Sequence, residues 1–584
     1  MTQRAGSPRN PDLTKPKDAL KPSIFANRQA FIFLFVFLIN LLLVSPSLMP
    51  EFTAVNPDDE SKYVESGWRL LRGDIRDLAW GPVVSLVYAP VHLMVGGSPD
   101  WFMIETWVGR FLLYAFLWWA TFYLGLQFKE HFSPYLMLGV LFVSTAFLMV
   151  IINQSDAVFA GFSALALAHL IQFSRSRALK NLGLSSLMVG LAVLARVETI
   201  VLLASLAFLG LLIGWRKLPV IKVLLAAWLP ALCVLGVFFI SSLILVGHPN
   251  LGVSAKSYDS FVWNQAVLTN WDLEVAAQET ERLFGTEEEN QGSVLRAISR
   301  NPGAFALRIL ANAKTIPENY LVYFGKKLGA VLLMFAAWGV FILFRRRAFI
   351  PLGISLFWVL HAVVPLGFLA LHIVPQVSYL PFIFGAIGIA GAFDPNSSRV
   401  DRRLFLIFLL VLLLGSWAGG KPAFAVSFLL VGLAWGLSWF VQGLVKLPHP
   451  SGQLLVFLML AAGLILREPF HFPNYPVLGQ TSPEQAIHYL GQALPSQTRV
   501  LVSSPIQAIA AQMSYVQIFK APDTITTVEQ LSSWLKQEDV RAVYLDRNRR
   551  GRNEIFDLME TGFEAYFERA FVSEDQRIRI FWVK

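Results

Sequence analysis

Cysteine is nearly absent from this chain of 584 residues: Cys233 stands alone, inside an apolar run. A single thiol excludes an intrachain disulfide framework, a cysteine-built metal site and a dithiol redox pair. Charge is scarce as well. Asp, Glu, Lys and Arg make up 15% of the chain, against about 25% in an ordinary soluble domain. There is no obvious internal repeat, so the matching half-chains that many transporters carry are missing. What fills the chain instead is apolar: 55% of residues are hydrophobic and the mean hydropathy is +0.55. That composition belongs to a polytopic membrane protein rather than to a soluble enzyme with a tail. The net charge of +9 is no nucleic-acid signature. Its cations fall mainly in short loops between apolar runs, where they orient membrane helices.

Roughly thirteen apolar runs read as spanning helices. They lie near 30–49, 104–127, 133–152, 156–173, 181–195, 198–214, 223–246, 327–344, 349–371, 377–393, 404–418, 423–442 and 453–467. Several are shorter than the ~20 residues a crossing helix needs, and the two runs flanking Arg196 read equally as one long buried helix. The expected architecture is an all-α polytopic membrane domain over 30–470. A disordered, Pro/Lys/Arg-rich cytoplasmic stretch at 1–29 precedes it, and a small extracytoplasmic α/β domain at 471–584 follows. No clear small-x-small cleavage site follows the first run, so that run is expected to remain as a helix. With the N-terminus inside, Lys129, Arg175 with Arg177, Arg216-Lys217, Arg345-Arg346-Arg347, Arg402-Arg403 and Lys446 all fall on the cytoplasmic side, as the positive-inside rule requires. The C-terminus then lies outside.

The run from Val83 to Val95 breaks this scheme. It contains Pro90 and reaches only about 20 Å as a helix, too short for a ~30 Å core. Counting it as a span would put the basic clusters outside, so it is expected to be a re-entrant or interfacial helix packed on protein. It belongs to the first of two long outer segments, 50–103. There Tyr63, Val64, Gly67, Trp68 and Leu71 share one helical face, and Lys62, Glu65, Ser66, Arg69 and Arg72 share the other. The expectation is an amphipathic helix lying in the membrane interface. The second outer segment, 247–325, is polar and aromatic, with Trp263, Trp271 and Glu287-Glu288-Glu289. In the C-terminal part, 499–503, 541–545 and 577–583 read as strands and 528–536 as an amphipathic helix. This part shows no phosphate loop, metal motif or catalytic triad, which leaves a structural or acceptor-docking role.

The chemistry-bearing residues gather at the outer turns. Asp58, Asp59 and Glu60 follow the first apolar run; Asn153, Gln154, Ser155 and Asp156 form another turn; Arg196 with Glu198 and His372 with Gln376 form two more. Carboxylates beside lipid are costly unless they are wet, paired or used. Each residue also has an ordinary explanation: Asp58 and Asp156 suit helix caps, Arg196 and Glu198 suit a structural ion pair, and His372 suits a satisfied interfacial histidine. The convergence of four turns on one side favours a single outward cavity.

These stretches resemble the GT-C superfamily of polytopic glycosyltransferases, closest to the branch of aminoarabinose transferases and protein O-mannosyltransferases. Asp59-Glu60, Tyr63 and Leu70-Leu71-Arg72-Gly73 match the pattern after the first span. Trp80-Gly81-Pro82, Asp156-Ala157-Val158-Phe159-Ala160 and Gly190 through Arg196-Val197-Glu198 resemble later motifs. The resemblance covers residues 30 to 395. The late Arg-Tyr-x-x-Pro motif is incomplete: Gln376-Val377-Ser378-Tyr379-Leu380-Pro381 lacks the arginine, and His372, Arg196 or Lys326-Lys327 would substitute. The absence of a Trp-Trp-Asp motif argues against an oligosaccharyltransferase. The resemblance implies transfer of a sugar from a polyprenyl-phosphate donor to a hydroxyl of a lipid, glycan or protein acceptor. Asp59 would be the base and Asp58 its rival. Glu60, Asp156, Arg196, Glu198, His372, Gln376 and Tyr379 would bind substrate. Asp58, Asp59 and Asp156 are hard oxygen ligands that suit a divalent cation, though nothing requires one and no metal set is assigned. The implied location is a bacterial inner membrane. A transporter or flippase, a non-catalytic scaffold and an O-antigen-type ligase are the alternatives.

Overall fold

The computed structural model describes residues 60–98, 100–128, 134–250, 261, 273–358, 370–393, 398–444, 482–502, 505–518, 521–522, 524–546, 558–559 and 563–584, with part of 34–48. Contacts divide the chain into two units, Met1–Val44 and Ser45–Lys584. In the first, the described residues between 34 and 44 are helical. The expected span at 453–467, along with Trp263 and Trp271, lies outside the described residues.

The second unit opens with α1 (Glu60–Leu71), α2 (Ser85–Val95) and α3 (Trp101–Phe128). Next come α4 (Pro134–Val143), α5 (Gln154–Ser176), α6 (Leu179–Ala195), α7 (Val201–Gly214) and α8 (Val220–Val246). The segment expected outside is largely helical where described, with α9 (Leu273–Phe284) and α10 (Pro302–Tyr323). There follow α11 (Lys326–Arg345), α12 (Phe349–Trp358), α13 (Ala370–Val377), α14 (Tyr379–Phe393), α15 (Arg399–Ala418) and α16 (Pro422–Leu444).

Four described helices are long and apolar enough to cross a membrane: α3, α5, α8 and α11. The other apolar helices, including α2, α6, α7, α12 and α14, run 10–17 residues. The structure therefore establishes an apolar helical bundle without the full number of expected spans. α8 shows what its surroundings must be. Ile221, Leu225, Leu232, Val237, Ile240 and Ile244 are all exposed along it, a stripe suited to lipid and not to water.

Small residues let the helices close on one another. A Cβ at Gly339 of α11 would lie 2.8 Å from the Phe384 carbonyl carbon, and one at Gly388 of α14 would lie 2.9 Å from that of Phe335. This reciprocal backbone approach is the device of small-residue packing in membranes.

α1 forms where the sequence predicts a helix, but not as a surface helix. Glu65 and Ser66, expected on the wet face, are buried, while Leu71, expected on the apolar face, is 42% exposed. The reason is crowding. α1 packs against α2, α3 and a helix of the C-terminal part. At Gly67 the approach of α2 is so close that a Cβ would lie 2.6 Å from the Tyr88 carbonyl carbon. α2 itself is 11 residues long with Pro90 inside it.

The C-terminal part contains α17 (Ser482–Ala493), β1 (Arg499–Val502), α18 (Pro505–Ala510), β2 (Ser514–Gln517), α19 (Val528–Gln537), β3 (Ala542–Asp546), β4 (Phe567–Val572) and β5 (Ile578–Val583). The sheet order is β2-β1-β3-β5-β4. β1 pairs in parallel with β2 and β3, and β5 runs antiparallel to β3 and β4. The wholly buried β3 is the sort of continuous apolar strand a covered sheet requires. The expected α/β composition is therefore present, with β2, β4, α17 and α18 in addition. α19 begins with a capping box between Thr527 and Gln530.

Candidate functional site

Asp58 and Asp59 lie outside the described residues, and the described site starts at Glu60, the first residue of α1. Its carboxylate is fully buried against Arg110 of α3 in a two-pronged pair. Nε donates to Oε1 at 2.6 Å and Nη2 to Oε2 at 2.6 Å. Gln154 Nε2, from the start of α5, approaches Glu60 Oε1 at 3.4 Å. One turn along α1, the Tyr63 hydroxyl donates to Ser155 Oγ at 2.7 Å. Asp156 turns the other way and accepts from Arg196 Nε at 2.7 Å.

Three consecutive residues thus take three separate partners. Successive positions on a helix rotate by about 100°, so Gln154 and Ser155 face α1 while Asp156 faces the end of α6. The N-terminal turn of α5 also favours a carboxylate through its exposed N–H groups. Arg196 terminates α6 in an extended conformation. The neighbouring Trp80-Gly81-Pro82 stretch is held against this end, because Gly81 has φ +66 and a Cβ there would lie 2.5 Å from the Ala195 carbonyl oxygen.

The Gln154-Ser155-Asp156 turn thus joins Glu60 on one side to Arg196 on the other. Arg196 pairs with Asp156; the expected pairing of Arg196 with Glu198 lies outside the described side chains. Glu198 follows in a short 3-10 turn, Val197–Ile200, and its side chain is outside the description, as is that of His372 on α13. The turn after α6 directs the arginine back across the α5 terminus, where the buried Asp156 carboxylate needs a cation. Gln376 and Tyr379 are buried at the end of α13 and the start of α14. α13 packs against α5, the helix that carries Asp156.

Two participants escaped the sequence reading. Arg110 is one, an arginine inside the apolar α3; an ionisable residue within a spanning helix is itself the signal that could have found it. The other is Tyr323, at the end of α10. Its hydroxyl donates to the Met149 carbonyl at 2.8 Å. Burial, and then the Asp156 carboxylate, push its pKa well up, so the phenol keeps its proton and remains a donor.

A second charged group surrounds the loop after α1. Glu65 pairs with Arg76, and Arg69 Nε with Asp74 at 2.5 Å. Burial works to lower the pKa of Arg69, but Glu65 and Asp74 together raise it. Lys62 and Arg76 stand over the Trp80 ring at 4.6 and 5.9 Å. Among the described residues, no group of three His, Cys, Asp or Glu side chains is placed to hold a metal ion.

No protein-family model matches the chain. No curated protein matches it either. Among solved structures it is similar to the oligosaccharyltransferase of Archaeoglobus fulgidus, with 14% identity over 93% of this chain and 72% of that one, at a TM-score of 0.43. It is also similar to the arabinofuranosyltransferase AftD from Mycobacteria, with 15% identity and a TM-score of 0.44. That match covers 95% of this chain and only 40% of AftD.

Proposed function

We propose that this chain is an integral membrane glycosyltransferase that moves a sugar from a polyprenyl-phosphate donor to an acceptor hydroxyl on the extracytoplasmic side. One observation carries the reading. The Gln154-Ser155-Asp156 turn bonds to Glu60 and Tyr63 on one side and to Arg196 on the other. Three sequence stretches with a GT-C-like pattern thereby meet at one point.

Glu60 and Asp156 are already engaged with arginines, which makes them good anchors. The base falls to the preceding residues, with Asp59 first and Asp58 its rival. In the proposed step the acceptor O–H gives its proton to this carboxylate and the oxygen attacks the anomeric carbon. The anomeric C–O bond to the lipid phosphate breaks, and the polyprenyl phosphate leaves with the electron pair, inverting the centre. Arg196, the more exposed of the two paired arginines, would stabilise the charge on the leaving phosphate, with Tyr323 as a neutral donor beside it. Gln376 and Tyr379 would line the donor side, joined by Glu198 and His372. A divalent cation, if used, would draw on Asp58 and Asp59.

The test is sugar transfer by purified protein reconstituted with a panel of polyprenyl-phosphate sugars, with and without a chelator. Asp59→Asn is expected to abolish turnover while donor binding persists. Loss only with Asp58→Asn moves the base by one residue. Failure to bind any donor discards the reading in favour of a transporter or scaffold.

A further inference from the structure

We infer that the C-terminal α/β part is a positioning element for this site: it latches α1 and the α2–α3 turn in place, with Trp101 and Gln512 as the residues that hold the latch. The inference rests on the proposed site, since α1 begins at Glu60 and follows directly from Asp58 and Asp59.

The contacts are specific. Trp101 Nε1 donates to the Ala510 carbonyl at 3.1 Å, in a buried bond at the end of α18. Gln512 Nε2 donates to the Gly96 carbonyl at 3.2 Å. His488 Nε2 lies 3.5 Å from Asp100 Oδ1. All six residues of α18 are buried, and α18 packs directly on α1. The α2–α3 turn is therefore gripped at Gly96, Asp100 and Trp101, while α1 is pressed by α18.

The backbone adds an independent sign. Gln512 holds φ at +56, a left-handed conformation that suits glycine better than an ordinary residue. Strain of that kind persists where the side chain does something that glycine could not. Here that side chain spans to Gly96. From Trp101 the connection continues inward: the His92 ring stands edge-on to it at 5.0 Å, and His92 Nδ1 lies 2.6 Å from the buried Glu105 Oε1. Tyr88, against which Gly67 of α1 packs, lies on the same α2 helix.

The test is hydrogen–deuterium exchange of the α1 amides in the full-length, reconstituted protein. Gln512→Gly removes the latch bond while relieving the left-handed backbone. It is expected to leave the thermal stability of the C-terminal part unchanged or raised, yet to speed α1 exchange about fivefold, the equivalent of one hydrogen bond. Trp101→Phe, which keeps the ring and loses the donor, should do the same, and the double variant more. Leu535→Ala, in the core of the C-terminal part, is the control: it should lower stability without touching α1. Unchanged α1 exchange in the Gln512→Gly and Trp101→Phe double variant overturns the latch, and so does α1 exchange that speeds up as much in Leu535→Ala. In transfer assays the latch variants should lose kcat with little change in KM. Faster α1 exchange in a protein whose wild type transfers no sugar supports the latch and discards only the glycosyltransferase reading.

Discussion

At the scale of single residues, the site is built from ion pairs that cannot be broken cheaply. Glu60 is fully buried and pairs with Arg110. Removing one partner of such a pair strands the other charge, at about 3 to 5 kcal/mol. Glu60→Gln is accordingly expected to lower the thermal unfolding midpoint sharply in detergent, and Glu60→Gln with Arg110→Met should recover most of the loss. If the single variant were as stable as the wild type, the pair would not be anchoring α1. Arg308 gives a different kind of prediction. Its guanidinium lies over the Phe261 and Phe284 rings, at 4.3 and 4.9 Å. Burial lowers its pKa to about 10 against a smaller opposing pull from Glu279. A base depressed in the folded state carries its full burial penalty below that value and loses it as pH rises through it. The stability gap between wild type and Arg308→Met should therefore shift in favour of the wild type as pH rises through about 10, read from paired unfolding curves. Asp156 and Arg196 were legible in the sequence because charged residues stand out at turns between apolar runs. The Glu60–Arg110 pair was not, because its partners are 50 residues apart and Glu60 reads as part of an acidic run.

At the scale of elements, α11 and α14 touch backbone to backbone through Gly339 and Gly388. Gly388→Leu would force the two helices apart and is expected to cost about 2 to 4 kcal/mol. It should show as aggregation or early elution in size-exclusion chromatography, while Gly236→Ala on α8, where an added Cβ meets nothing within 4 Å, should be neutral. Element types were readable wherever periodicity or an apolar run was long. β1, β3 and β5 were visible as short β-branched and apolar runs. β2, with the sequence Ser-Tyr-Val-Gln, is too short and too mixed to carry such a signal. The burial of α1 was illegible for another reason. Its amphipathic pattern is real, but the elements that pack on it include α18, far along the chain, and no local pattern reports that.

At the scale of the whole molecule, the proposed orientation makes a direct prediction. With Cys233 replaced by serine, a cysteine at Gln576 should react with a membrane-impermeant maleimide on intact cells, whereas one at Arg346 should react only after permeabilisation. The reverse labelling would invert the proposed topology and move the candidate site to the cytoplasmic side. The latch between Trp101 and Ala510 joins residues 409 positions apart, and this separation has a consequence in time. A chain emerging from the ribosome builds its early helices long before α18 exists. On the proposed orientation, α1 is fully held only once the C-terminal part has been synthesised, moved across the bilayer and folded. A protein truncated before α17 would still hold its bundle helices, yet its early motif would remain unfinished. On the proposed latch, folding of the C-terminal part and completion of the proposed site are one event, so a half-made copy would be kept from acting on the proposed lipid-linked donor.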